Sequence, residues 1–154
     1  GLNAEDVFVG LTNLGPISLD SPLQPPVSSS RDSKGKLRSR GEVVVAALEA
    51  ESAAEAVNTL RKLEAGRFNP FQLLVTDGKD AWLVVYRGDV RAIPLEPGLH
   101  VVGNVVDERI EERLGTSSLN PIETPESVSR ARKLMRIRER VEKLMTETAQ
   151  DLFE

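Results

Sequence analysis

Cysteine is absent from this chain. Disulfides, thiolate metal sites and thiol nucleophiles are thereby excluded from these residues, and the absence fits a reducing compartment. Histidine is nearly absent too, with His100 standing alone. HExxH, GxSxG, glycine-rich phosphate loops and paired-cysteine signals are missing, so the sequence supports neither an ordinary metal enzyme nor a serine hydrolase. No run approaches the length of about 18 apolar residues that marks a membrane span, and no signal peptide is visible. Basic charge is not in excess either. Twenty Lys and Arg face 24 Asp and Glu, for a net charge of −4, which argues against broad nucleic-acid binding. The expectation is a cytoplasmic protein with a small-molecule ligand or substrate and no membrane span.

What is present is an ordinary globular composition, 40% hydrophobic and 29% charged over 154 residues. That length suits one domain with a substantial core. The organising stretch runs from Phe71 to Asn104. Phe71–Asp77, Ala81–Tyr86, Val90–Leu95 and Leu99–Asn104 are short runs rich in Val, Leu, Ile and aromatics, each bounded by Asp, Gly or Pro. They read as an antiparallel meander. Asp77-Gly78 and Gly88-Asp89 supply the residue types that tight turns with positive φ require. The first two strands are apolar at nearly every position, so both faces of the sheet should be covered. Trp82 and Tyr86 share one face of their strand and read as core.

Upstream, Val7–Asn13 reads as a buried strand entered by a turn over Asn3–Asp6. Residues 15–40 carry Pro16, Pro22, Pro25, Pro26, the consecutive serines Ser28, Ser29 and Ser30, and a basic run. They are read as a flexible loop, either a lid or a tolerated surface insertion. Glu42–Ala50 is helical by composition, with Ser39 as a possible N-cap. Ser52 and Glu55 form a capping-box pattern before a second helix, whose stripe is Ala53, Ala56, Val57, Leu60 and Leu63. Ala65-Gly66 is expected to end it. Val105–Leu114 reads as a short acidic helix and Gly115–Thr124 as a polar loop. Thr124-Pro125-Glu126 starts a helix reaching about Phe153, with Leu134, Ile137, Val141, Leu144, Thr148 and Leu152 facing inward. The layered result is an α+β domain.

The landmarks Gly1-Leu2-Asn3, Val9–Asn13, Ser39–Glu42, Phe68-Asn69 with Leu73–Val75, and Pro97-Gly98-Leu99-His100 to Asn104 follow in order. Together with the arginine-rich start of the last helix, they resemble the NRDE family, also called the transport and Golgi organisation 2 family. The resemblance covers most of this chain but only the later part of a family member. Members begin with Met-Cys and carry the Asn-Arg-Asp-Glu motif soon after, and neither is present here. Gly1 matches a glycine within a strand pair. The resemblance therefore implies one domain over 1–154, a fragment of a longer family domain with its N-terminal portion missing. It also implies a fold like the N-terminal-nucleophile hydrolases, an α/β/β/α sandwich.

In function the resemblance implies binding or trafficking of a hydrophobic or anionic cofactor such as haem. Its alternatives are an amidohydrolase with a cysteine nucleophile upstream of Gly1 and a non-catalytic scaffold. In the hydrolase reading, Asn104 and Asn13 would donate hydrogen bonds to a developing oxyanion. The competing reading makes Asn104 a turn or helix cap. Arg40, beside a helix start, is either an anchor for a ligand carboxylate or phosphate or a structural partner of nearby acids. His100, read within an apolar strand, is either a packed residue or a ligand-binding one. If haem binds, the available iron ligands are His100, Met135, Met145 and Tyr86. The cluster Arg130, Arg132, Lys133, Arg136, Arg138, Arg140 and Lys143 reads as a solvated face with i,i+4 pairs, or as an anion-binding face.

Overall fold

The computed structural model describes residues 1–15, 37–106, 108–114 and 125–151. Residues 16–36, most of the stretch read as a flexible loop, lie outside the described residues. So do the Gly115–Thr124 loop with its expected helix cap, and Leu152.

The described residues form a four-stranded antiparallel sheet in sequential order. Its strands are β1 (Phe8–Asn13), β2 (Phe71–Thr76), β3 (Ala81–Tyr86) and β4 (Val90–Pro94). Helices α1 (Arg40–Leu48) and α2 (Ala53–Leu60) lie between β1 and β2, while α3 (Glu108–Arg113) and α4 (Pro125–Asp151) follow the sheet. The class is α+β, as expected from an antiparallel meander with helical segments before and after it.

Strict alternation along the strands sorts the core into two faces. Val9, Phe71, Leu73, Val75, Val84 and Tyr86 pack with Val43 and Ala47 of α1 and Ala53, Ala56, Val57 and Leu60 of α2. This is the helix face. Phe71 stacks on Tyr86 at 5.0 Å, and Phe68 meets both rings edge-on at 6.3 and 5.7 Å. Tyr86 keeps its polar end satisfied, donating to the Glu64 carbonyl at 2.9 Å and accepting from Arg67 N–H at 3.0 Å. The hairpins turn at Gly78 (φ 82°) and Gly88 (φ 95°), where a left-handed backbone favours glycine.

The helices begin where their caps allow. Ser39 and Glu42 form a reciprocal capping box on α1, so Arg40 and Gly41 belong to the helix rather than to a loop. At α2, Ser52 Oγ accepts from Glu55 N–H at 3.2 Å, while the Glu55 carboxylate reaches back to Glu51 N–H at 2.8 Å. Asp77, from the β2–β3 turn, adds a bond from Ala53 N–H to its Oδ2 at 2.9 Å. This helix stops at Leu60, about one turn before the expected Ala65-Gly66 end, and Gly66 instead donates to the Gly88 carbonyl at 2.9 Å. Asn3 pins the entry to β1. It donates to Leu48 and Ala50 carbonyls at 3.0 and 2.8 Å, capping the exit from α1, and accepts from Glu5 and Val7.

The opposite face carries Leu83, Val85 and Ile93, covered by Leu95, Val106, Ile110 of α3 and, less deeply, Val102. Leu99–Asn104 was expected to be a strand, and it is not. The chain leaves β4 at Pro94, bends at Glu96–Gly98, and crosses the sheet as an irregular strap back to β1. Side chains replace the ladder there. Thr12 Oγ1 donates to the Gly103 carbonyl at 2.6 Å, and Gln72 Nε2 donates to the carbonyls of Gly103 and of Val105, the latter at 3.1 Å. This is the strap face.

Helix α4 spans 27 residues, roughly 40 Å. It rests Leu134 on Gly103, whose missing Cβ would fall 2.6 Å from the leucine methyl. The expected inward stripe is only partly inward. Leu134 and Val141 are half-buried, but Ile137 and Leu144 are 40% and 54% exposed. Arg138 takes the half-buried place beside them, because its aliphatic stem can cover apolar surface while the charge reaches solvent.

Candidate functional site

Two groups of candidate side chains emerge, one at the end of the sheet and one on the strap face. At the sheet end, β1 leaves at Asn13 and β2 enters at Phe71, its register partner. The Pro70 carbonyl there accepts from Leu14 N–H and from Arg40 Nη1, both at 3.2 Å. Asn104 Nδ2 donates to the Asn13 backbone carbonyl at 3.1 Å. The fold thus brings Asn13, Asn104 and Arg40 to one end of the sheet. It leaves His100 out of that group.

Asn104 does not end a strand, contrary to expectation; it sits in a bend of the strap. One amide hydrogen holds the strap to β1, as a turn-capping asparagine would. Arg40 is half-buried against the Pro70 carbonyl. Arg87, just before the Gly88-Asp89 turn, is 2% exposed and donates to the Gly15 carbonyl at 2.8 Å.

The second group surrounds a pocket of about 190 Å³ under the strap. Leu83 and Gln72 form its floor, and Leu95, Leu99, Val101, Val102, Val105 and Ile110 its walls. His100, Arg113 and Arg138 complete the lining. Arg113 Nη2 donates to the Pro94 carbonyl at 2.7 Å, and Arg138 Nε lies 3.9 Å from the Glu142 carboxylate. An apolar cleft with a few convergent polar groups is the usual form of a small-molecule site. Its positive rim favours the anionic end of an amphipathic molecule.

His100 was expected inside a strand. It stands in the strap, exposed, with Nε2 2.7 Å from the Glu96 carbonyl. The other haem-ligand candidates are not at the pocket. Tyr86 is buried among aromatics on the helix face, and Met135 and Met145 are 62% and 57% exposed along α4. Small-molecule sites run from about 300 to 1,000 Å³, so 190 Å³ admits one narrow apolar arm. That size is closer to a narrow apolar group than to a porphyrin macrocycle.

The basic residues of α4 do form i,i+4 pairs. Arg130 lies 3.7 Å from Glu126, besides the Arg138 pair with Glu142. Among the described residues no group of His, Asp and Glu is placed to hold a metal. None of the described helices is long and apolar enough to cross a membrane.

A comparison with protein families matches residues 3–153 to Transport and Golgi organisation 2. The chain belongs to this family. No curated protein and no solved structure matches it significantly. The matched range includes the stretch Pro97 to Asn104, which carried part of the resemblance in sequence and which the structure shows to be the strap. Gln72 and Arg113 were missed. Gln72 broke the apolar run of β2, a signal that a buried polar group has work on the covered face.

Proposed function

We propose that this member of the transport and Golgi organisation 2 family is a cytoplasmic binding protein for a hydrophobic, anionic small molecule. The single observation that carries the reading is the strap-face pocket. Apart from the Gln72 amide it is apolar on floor and walls, and two guanidinium groups and an imidazole stand around it. Its volume favours a narrow apolar group such as an acyl chain over a ring system as large as haem. Burial of a chain supplies affinity, and the rim cations select the acid over its neutral analogue.

Calorimetric titration with decanoate and with decanol tests this. Decanoate is expected to bind tighter, and Arg113→Ala and Arg138→Ala each to weaken it by about fivefold, the scale of a partly exposed ion pair. Equal binding of acid and alcohol, or none of either, would count against the proposal. The amidohydrolase alternative draws on the meeting of Asn13 and Asn104 at one sheet end. Its nucleophile would have to come from outside these 154 residues. The two-sheet sandwich of that fold would place its second sheet on the strap face, where Phe8 is 40% exposed.

A further inference from the structure

Gln72 is 1% exposed and lines the pocket floor. Its Nε2 donates to two strap carbonyls, those of Gly103 and Val105. Its Oε1 is buried with no hydrogen-bond partner. The orientation of the amide is not arbitrary. Turned over, it would set an oxygen against two carbonyl oxygens, which repel it, so the NH2 must face the strap and the oxygen must face away. A buried amide oxygen without a donor is uncommon, because its lost hydration is not replaced.

Pinning the strap needs only a donor, as Thr12 shows with its hydroxyl on the same Gly103 carbonyl. A primary amide at position 72 adds an acceptor that the protein's described residues leave unused. Every other floor and wall residue of the pocket is aliphatic. Below the rim, the Gln72 amide is the one polar side chain in the pocket lining.

We propose that the ligand of this pocket is an apolar acid carrying a buried hydrogen-bond donor, an amide N–H or a hydroxyl, that pairs with Gln72 Oε1. The inference rests on the amphiphile-binding reading above and makes it more specific. N-acyl amino acids and hydroxy fatty acids both have this chemistry. Plain fatty acids bind less well, because they bury the amide oxygen without answering it.

Two matched pairs decide the matter on the unmodified protein by calorimetry. N-decanoylglycine is compared with its ester isostere, in which oxygen replaces the N–H. 3-Hydroxydecanoate is compared with decanoate. At least one donor-bearing compound is expected to bind about tenfold tighter than its partner, and the preferred pair tells which donor the site takes. In Gln72→Leu, shown to be folded by its melting transition, the members of each pair are expected to bind alike. If both pairs already bind alike in the unmodified protein, the inference is overturned and the pocket reading survives. If none of the four compounds binds, the pocket reading falls with it.

Discussion

The helix face and the strap face belong to the same four strands, yet they are covered by different means. Over the helix face lie two capped helices, and Tyr86, Phe71, Leu60, Leu73 and Val57 are removed from solvent almost completely. Over the strap face lies an irregular segment held by side-chain bonds to its carbonyls, beside the six-residue α3. One face is densely packed. The other holds a cavity of about 190 Å³ with the Gln72 amide on its floor. Where regular elements interlock, the residues are committed to stability; where a loop does the covering, room remains for a ligand.

The comparison breaks if the two faces respond alike to truncation. Tyr86→Ala is expected to cost about 3–5 kcal/mol, since it empties the aromatic cluster. Leu99→Ala, half-buried in the strap, should cost less than about 1 kcal/mol while weakening decanoate. Urea unfolding of both variants measures the contrast, and equal losses would show that the strap is as much core as the helices are.

A smaller effect is expected at Asn3, where the side chain joins the entry of β1 to the exit of α1 through four hydrogen bonds. Asn3→Ala should lose about 2 kcal/mol, with decanoate affinity unchanged. Asp77 comes next. Its carboxyl is held below the ordinary value chiefly by Asp80 N–H and then by Ala53 N–H. A lowered folded pKa stabilises the fold fully above the unfolded value near ~4, and that contribution disappears as pH falls through the lower folded value. Asp77→Ala should cost about 1 kcal/mol near neutrality, as a lost helix cap does. The difference from the unmodified protein should vanish below the ordinary carboxylate range. A difference that persists in strong acid would mean the carboxylate charge is not its source.

Least disruptive to folding are the rim arginines. Arg113→Ala and Arg138→Ala should shift stability by no more than about 0.5 kcal/mol, yet each should weaken decanoate. A haem titration sharpens the same point. No His100-dependent change in the haem spectrum is expected from so narrow a pocket.

The helix face was legible in sequence. Alternating Leu73, Val75, Val84 and Tyr86, the stripe Ala53, Ala56, Val57 and Leu60, and the caps at Ser39 and Ser52 are local patterns with local causes. The strap was not legible. Leu99-His100-Val101-Val102 has the composition of a strand, and only contacts with Thr12 and Gln72, 91 and 31 residues from Gly103, decide that it crosses the sheet rather than joins it. The same is true of the site. Asn13, Asn104 and Arg40 were singled out and do converge, but the pocket draws its floor from Gln72 and its rim from α3 and α4. Only their folded arrangement makes those residues neighbours.

The most direct test of the central claim is an amide NMR titration of the labelled protein with decanoate. Shifts concentrated at Gln72, Leu83, Leu99 to Val105 and Ile110, with α1 and α2 undisturbed, are the expected result. Shifts centred on the helix face, or none at saturating ligand, would contradict it.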